Sequence, residues 1–405
     1  APGPPYGSPL TGAARLRPLP GWCLGAGGCG LISALRIDDL RNLERVRLPG
    51  LGRHNVLFGA NGSGKTSVLE AVHLLGTARS FRAGSPRALI RHGESGCTVF
   101  GEIVHPPGGR STLAVQRRID GSVALRVDRD PVRSVSRLAD ELPLIVLNAD
   151  SFELLVGLPG LRRRFLDWGV FHVEHDGREH WQRFQRSLAQ RNHLLRRGTI
   201  SSSEREVWER DLALHGEAVA AGRQRFLERL TPVFDALLSE LAPELGAVDL
   251  RYRRGWDASI GYREALERGA ASDAEQGFTQ SGPQRADLRI SVGGYSAADT
   301  LSRGQQKLLV CALKLAQGDV LAQGDRPRGV YLVDDLPSEL DGERCARVCR
   351  CLTRSGAQIL MTCIDRSAVN LDWFAASGPT AVFHVKHGAV TAADGSPQET
   401  GMAAD

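Results

Sequence analysis

The chain has 405 residues, 42% of them hydrophobic, and a formal net charge of +5. That is enough apolar material to bury a large core, as one big domain carrying an insertion or as two. No apolar run approaches the roughly 20 residues of a membrane-spanning helix and the start lacks a secretory plan, so residence in the cytoplasm with no membrane partner is expected. The mild positive charge permits an anionic partner without demanding one.

Residues 1–30 are rich in proline and glycine and are expected to form a disordered extension. From Leu31, "LISALRIDDLRNLERVRL" reads as two strands around a turn, followed by a strand from His54 to Phe58. "CTVFGEIV", "STLAVQRRI" and "VALRVD" alternate as half-buried strands of an antiparallel meander, with a turn at Asp120-Gly121. "ELPLIVLNAD" is a further buried strand and closes the first segment, 31–150. The pattern is then helical from about Leu154 to Leu245, within an inserted helical lid or arm spanning 151–284. Trp181, Phe184 and Leu188 are spaced for one face, and a second helix from about Glu204 to Leu230 carries Val207, Leu214 and Phe226. The serines after "RGTI" read as an N-cap. Two antiparallel helices of this kind make an arm or lid roughly 35 Å long, whose arginines face either solvent or phosphate. Strand character returns at "DLRISVGG" and continues through "VYLVDD", "AQILMT" and "AVFHVKHGAV", with helices at "GQQKLLVCALKLA" and after Asp341. This second half spans 285–388, and residues 389–405 are expected to be disordered.

Arginine carries nearly all the positive charge, and only four lysines occur: Lys65, Lys307, Lys314 and Lys386. Lys65 lies in "GANGSGKT", Gly59 to Thr66, which fits the phosphate-loop pattern G-x-x-x-x-G-K-[ST] with a strand before and a helix after. Glycines let backbone N–H groups turn inward around phosphate oxygens, and the helix aims its positive dipole end at them. Lys65 would reach the β- and γ-phosphates as a compact charge, and Thr66 would hold magnesium. "VYLVDDL" ends an apolar strand in two carboxylates. Such groups are costly unless they meet a cation, so a metal-facing Asp334 and a water-orienting Asp335 follow once a phosphate loop lies upstream; alone, such a pair is more often a turn or helix cap. "LSRGQQK" puts Ser302 and Gly304 at a helix start with free N–H groups. "SELD", Ser338 to Asp341, by itself reads as another N-cap. The eight cysteines show no zinc-type pairing; Cys345, Cys349 and Cys351 cluster on one predicted helix as buried thiols of a reduced compartment.

In this order the four segments resemble an ABC-type ATPase head. Longer strings, "NVLFGANGSGKTSVLEAVHLLGTARSFR", "GLPGLRRRFLDWGVFHVE", "QRNHLLR", "GPQRADLRI", "LSRGQQKLLVCALKLAQG" and "LVDDLPSELD", are similar to the RecF family of bacterial DNA replication and repair proteins, colinearly over roughly residues 31 to 388. The resemblance implies an α/β head, a phosphate-loop mixed sheet with an antiparallel β subdomain and an inserted helical lid. It implies a weak DNA-dependent ATPase forming an ATP-dependent homodimer on duplex DNA and on single-strand/duplex junctions, and work with RecO and RecR in placing RecA there. Carried over by position, nucleotide contacts fall to Gly59, Asn61, Gly62, Ser63, Gly64, Lys65, Thr66 and Ser67, with Ser302, Gly304 and Gln305 acting across the dimer. Asp334 and Thr66 would serve Mg2+, Asp335 and Lys65 catalysis, and Asp341 the subunit contact. Arg79 and Arg82 belong to the family pattern near the nucleotide without an assigned atom. Departures are Gln284 and Ala286 where many relatives write histidine, and Cys363, Ile364 and Asp365 where transporters place a switch histidine; no transporter-type glutamine lever is found. A transporter motor, a chromosome-organising structural head and an inactive interaction module are the competing classes, and the departures favour a slow ATPase used as a clamp or timer.

Overall fold

The computed structural model describes residues 31–105, 108–174, 176–198, 202–324, 328–375 and 378–393, with only the backbone of 202–207. The extension 1–30, most of the expected tail and Ser201 of the proposed lid cap therefore lie outside the described residues, as do the side chains of Ser202, Ser203 and Val207.

The alternating segments build a six-stranded antiparallel sheet in the order β2-β1-β4-β5-β6-β7. Its strands are β1 (Leu31–Leu40), β2 (Leu43–Pro49), β4 (Gly96–His105), β5 (Gly109–Arg118), β6 (Val123–Val127) and β7 (Asp130–Val132). The continuous apolar runs build a second six-stranded sheet, β15-β14-β3-β13-β12-β8. It comprises β3 (His54–Phe58), β8 (Leu144–Leu147), β12 (Val330–Val333), β13 (Gln358–Cys363), β14 (Thr380–Lys386) and β15 (Ala389–Ala392). Every pairing in it is parallel except β14 with β15. Strand β15 occupies the first four residues of the segment expected to be disordered.

A parallel sheet covered on both faces needs apolar residues at every position, and β12 shows it. Val330 and Leu332 join the core beneath the antiparallel sheet, where the helix Lys65–Thr77 is packed between the two sheets. Tyr331 and Val333 join the opposite core, built on the helices Arg303–Ala322 and Gly342–Arg354 and on the end of a 40-residue helix, Ser202–Leu241. A three-stranded sheet, β11-β10-β9, of β9 (Val248–Arg253), β10 (Asp287–Val292) and β11 (Tyr295–Ser296), adds to that core through Val248, Leu288 and Ile290.

The lid packs the helices Gly177–Arg197 and Tyr262–Gln276 on the long helix around Phe184, Leu188, Leu212, Val219 and Leu266. Phe184 and Leu188 are buried, whereas Trp181 is 39% exposed. The long helix does not stop near Leu230; it runs through Pro232 to Leu241, because Leu230, Phe234, Leu237 and Leu241 continue a buried stripe into the head. Leu214 is 61% exposed although Phe226 is fully buried. The two are twelve residues apart, about 120° around a helix of 3.6 residues per turn, so they cannot share a face; Leu212, Val219 and Phe226 do. Among the described residues no helix is long and apolar enough to cross a membrane.

Candidate nucleotide site

β3 delivers the phosphate loop at its C-terminal end, and three positive φ angles shape it: 155° at Gly59, 76° at Gly62 and 116° at Gly64. At Gly59 a side chain is also sterically barred, since a Cβ would lie 2.1 Å from the Val385 carbonyl oxygen. Lys65, 7% exposed, arches back over the loop and donates from Nζ to the carbonyls of Gly59 at 2.7 Å and Ala60 at 3.0 Å. Asn61 and Gly62 stand exposed at the tip, and Ser63 is buried, its carbonyl accepting from Gly388 N–H at 2.8 Å.

The turn between β1 and β2 fixes this loop from the side. Asn42 donates from Nδ2 to the Gly62 carbonyl at 3.2 Å and accepts from Ser67 Oγ at 3.1 Å. Its neighbour Arg41 makes two 2.9 Å bonds to the fully buried carboxylate of Glu70, which also accepts from Ser80 Oγ. Ser80 in turn accepts from the backbone N–H groups of Arg82 and Ala83, so one buried carboxylate holds the "RSFR" loop beside the phosphate loop. Arg82 lines the cleft that results, whereas Arg79 lines a separate cavity between head and lid. Asn42 and Glu70 were not singled out in the sequence; a polar residue in a tight turn and a glutamate inside an apolar helix face were the only signals.

The aspartates come from β12, which is separated from β3 by β13. Thr362, at the end of β13, fills the gap by donating from Oγ1 to Asp334 Oδ1 at 2.7 Å and accepting the Asp335 N–H at 2.9 Å. Thr66 Oγ1 donates to the same Asp334 oxygen at 2.9 Å. Asp335 has φ 51°, and its Oδ1 is buried without a hydrogen-bond partner among the described residues. The cleft holds about 680 Å³ and is lined by Asn61, Gly62, Gly64, Lys65, Thr66 and Ser67 together with Asp334, Asp335 and Glu339.

These residues fit a phosphate chain and a hard cation. A hydroxyl and a carboxylate oxygen converge at one point, the oxygen chemistry that Mg2+ takes. An ammonium that has only carbonyls for company, and a buried carboxylate oxygen with no donor, are groups awaiting further partners.

Ser302, Gly304 and Gln305 do not line this cleft. They open the helix Arg303–Ala322 with a reciprocal capping box, Ser302 N–H to Gln305 Oε1 at 3.0 Å and Gln305 N–H to Ser302 Oγ at 3.4 Å. A Cβ at Gly304 would lie 2.7 Å from Arg344 Nη1. Asp341 caps the next helix by accepting from Arg344 N–H at 2.9 Å and stays exposed. At the positions that depart from the family pattern, Gln284 Nε2 donates to the Thr279 and Ser281 carbonyls and Ala286 is fully buried. Burial pushes the Cys363 thiol up to about 11. The Ile364 carbonyl accepts from Gly59 N–H at 3.2 Å.

This layout belongs to the ABC-type ATPase heads: a phosphate loop between an antiparallel and a mixed sheet, a lid inserted between the half-motifs, and a second glycine-bearing helix start held away from the loop. The RecF/RecN/SMC N terminal domain model matches residues 31–390. The DNA replication and repair protein RecF of Stutzerimonas stutzeri is 46% identical over 360 residues, 89% of this chain and 97% of that protein. Its counterpart in Pseudomonas putida is 47% identical over 357 residues, 88% and 97% of the two chains. The chain belongs to the RecF family. The solved structure of the recombination mediator protein RecF-ATP in the RecFOR pathway shares the fold, with a TM-score of 0.80 at 23% identity over 91% of this chain and 98% of that one.

Proposed function

We propose that this chain is an ATP-binding protein of DNA replication and repair, an ATP-gated homodimeric clamp on duplex DNA and at single-strand/duplex junctions that acts with RecO and RecR in loading RecA. The names of its relatives and of its structural neighbour support the pathway. The observation that carries the switch mechanism is an asymmetry: the phosphate loop and its aspartates meet within one chain, while the Ser302 helix start, exposed and ready-capped, lies outside that cleft.

In this reading the loop N–H groups and Lys65 hold the β- and γ-phosphates of ATP. Lys65 exchanges its bonds to the Gly59 and Ala60 carbonyls for phosphate oxygens. Thr66 and Asp334 would hold Mg2+, which neutralises phosphate charge when bound. Asp335 orients the attacking water with its free Oδ1 and takes up its proton. Ser302, Gly304 and Gln305 of a second copy close the cleft, so nucleotide joins two heads and hydrolysis parts them. Asp341, beside Gly304 through Arg344, lies at that contact. With a backbone carbonyl at Ile364 rather than a switch histidine beside the loop, turnover is slow and residence on DNA is the output.

Sedimentation and duplex binding with ATP and magnesium test this. Lys65→Arg should give no ATP-driven dimer, and Asp335→Asn a long-lived DNA-bound dimer. A protein that takes up ATP and stays single and indifferent to duplex overturns the proposal.

A further inference from the structure

Alternation along β9 sends Val248, Leu250 and Tyr252 inward and Asp249, Arg251 and Arg253 outward; β10 likewise buries Leu288 and Ile290 and exposes Arg289. The register sets Arg251 directly opposite Arg289. Like charges facing each other across an antiparallel pair are destabilising, so a sheet that keeps them calls for an anion. The nearby carboxylates, Asp249 and Asp257 included, form no ion pair with them among the described residues. Arg253 faces Asp287, but Arg162 holds that carboxylate from Nε at 2.7 Å and Nη2 at 3.3 Å. Glu217, across the cleft, accepts the Tyr262 N–H at 2.7 Å. Among the described residues Arg251, Arg253, Arg285 and Arg289 have no carboxylate in an ion pair. All four are exposed. They line one cleft of about 1240 Å³ against the long helix at Ala220–Gln224.

We propose that this arginine face is where the phosphodiester backbone of duplex DNA docks, an assignment that rests on the DNA-binding reading above. Guanidinium forks match phosphate oxygens in pairs, and a sheet face with no helix to enter a groove reads backbone rather than base edges. Duplex is favoured over single strand because, among the described residues, the two aromatic rings at this cleft are poor stacking platforms: Tyr252 points inward, and Trp256 lies 4.7 Å from the Arg254 guanidinium and 4.7 Å from the Tyr262 ring. The face is also wired to the clamp. β10 runs through β11 and a single turn, Ala297–Thr300, into Ser302, so a backbone seated on Arg289 bears on the helix start that meets the second subunit's nucleotide.

The test is a set of Arg→Gln changes at Arg251, Arg253 and Arg289, singly and together, with fluorescently labelled duplex of mixed sequence titrated against salt in the presence of ATP and magnesium. The triple variant should lose about tenfold or more in affinity, and its log–log salt slope should shrink by about 2.7, ~0.9 for each phosphate contact removed. ATP-driven dimerisation and the melting temperature should be kept, the latter equal or raised because Arg251 no longer faces Arg289. Wild-type affinity and slope in a triple variant that still dimerises would overturn this face alone. So would the loss of poly-glutamate binding with duplex binding intact, which would make the face a dock for an acidic polypeptide. Failure of the wild type itself to bind duplex would overturn the DNA-binding reading as well.

Discussion

Lys307 Nζ lies 2.6 Å from Glu339 Oε2 and 3.0 Å from the Glu339 carbonyl oxygen. The pair ties the helix that begins at Ser302 to the segment between Asp335 and Asp341, and Glu339 also lines the chain's own nucleotide cleft. A change at one cleft thus has a direct route to the helix start proposed to close the other. Lys307→Met should leave ATP affinity of the single subunit unchanged while weakening ATP-driven dimerisation. A double-mutant cycle with Glu339→Gln should return a coupling of about 1 kcal/mol, the upper end of the range for exposed pairs, since each side chain keeps about a quarter of its surface in solvent. Additive losses in sedimentation equilibrium would show the pair to be uninvolved.

Thr66 and Asp334, 268 positions apart in sequence, share one hydrogen bond at 2.9 Å. Thr66→Val removes a hydroxyl of the pair proposed to hold the cation, without adding bulk. ATP affinity by titration calorimetry should then become nearly independent of magnesium, whereas the unchanged protein should bind far more tightly with the ion than with chelator. Equal magnesium dependence in both would remove Thr66 from the site.

How much of this was legible in the sequence follows from range of action. The phosphate loop, the strand ends and the capping box at Ser302 are written in contiguous residues, and each sits where its spacing put it. The β-meander followed from period-two alternation, which survives tertiary context because one face is always buried. The helical segment was harder: a 40-residue helix offers several candidate stripes, and only the head it enters decides that Leu212, Val219 and Phe226 form the buried one. Thr362, Asn42 and Glu70 could not be read off, since their roles arise where strands far apart in sequence become neighbours.

Glu70 carries the most strain-free way to test that neighbourhood. It is fully buried and pairs with Arg41, whose side chain is 24% exposed. Removing one member of a buried pair leaves the other charge uncompensated, so Glu70→Ala should cost about 3 kcal/mol or more in urea unfolding. Glu70→Gln, which keeps an acceptor for Ser80, should cost less. Amide exchange should quicken in both at Arg82 and Ala83, whose N–H groups bond to Ser80 Oγ at 2.9 and 2.6 Å. Unchanged protection there would mean that the loop holds itself.

His54 begins the strand that carries the phosphate loop, and it is fully buried with neither ring nitrogen hydrogen-bonded among the described residues. Its ring centre lies 5.3 Å from that of Phe374. Burial, helped by the neighbouring Arg53 charge, lowers its pKa to about 4 from an ordinary 6.5. Above pH 6.5 the ring is neutral in folded and unfolded chains alike and pH has no purchase on it. As pH falls from 6.5 toward 4 the unfolded chain takes up a proton that the folded one refuses, so stability drops, by about 3 kcal/mol over the full window at 1.36 kcal/mol per unit. His54→Leu should flatten that part of the urea-midpoint profile between pH 6.5 and 4 while leaving the carboxylate-driven loss at lower pH in place. An acid limb identical in the variant would mean that some other group is responsible.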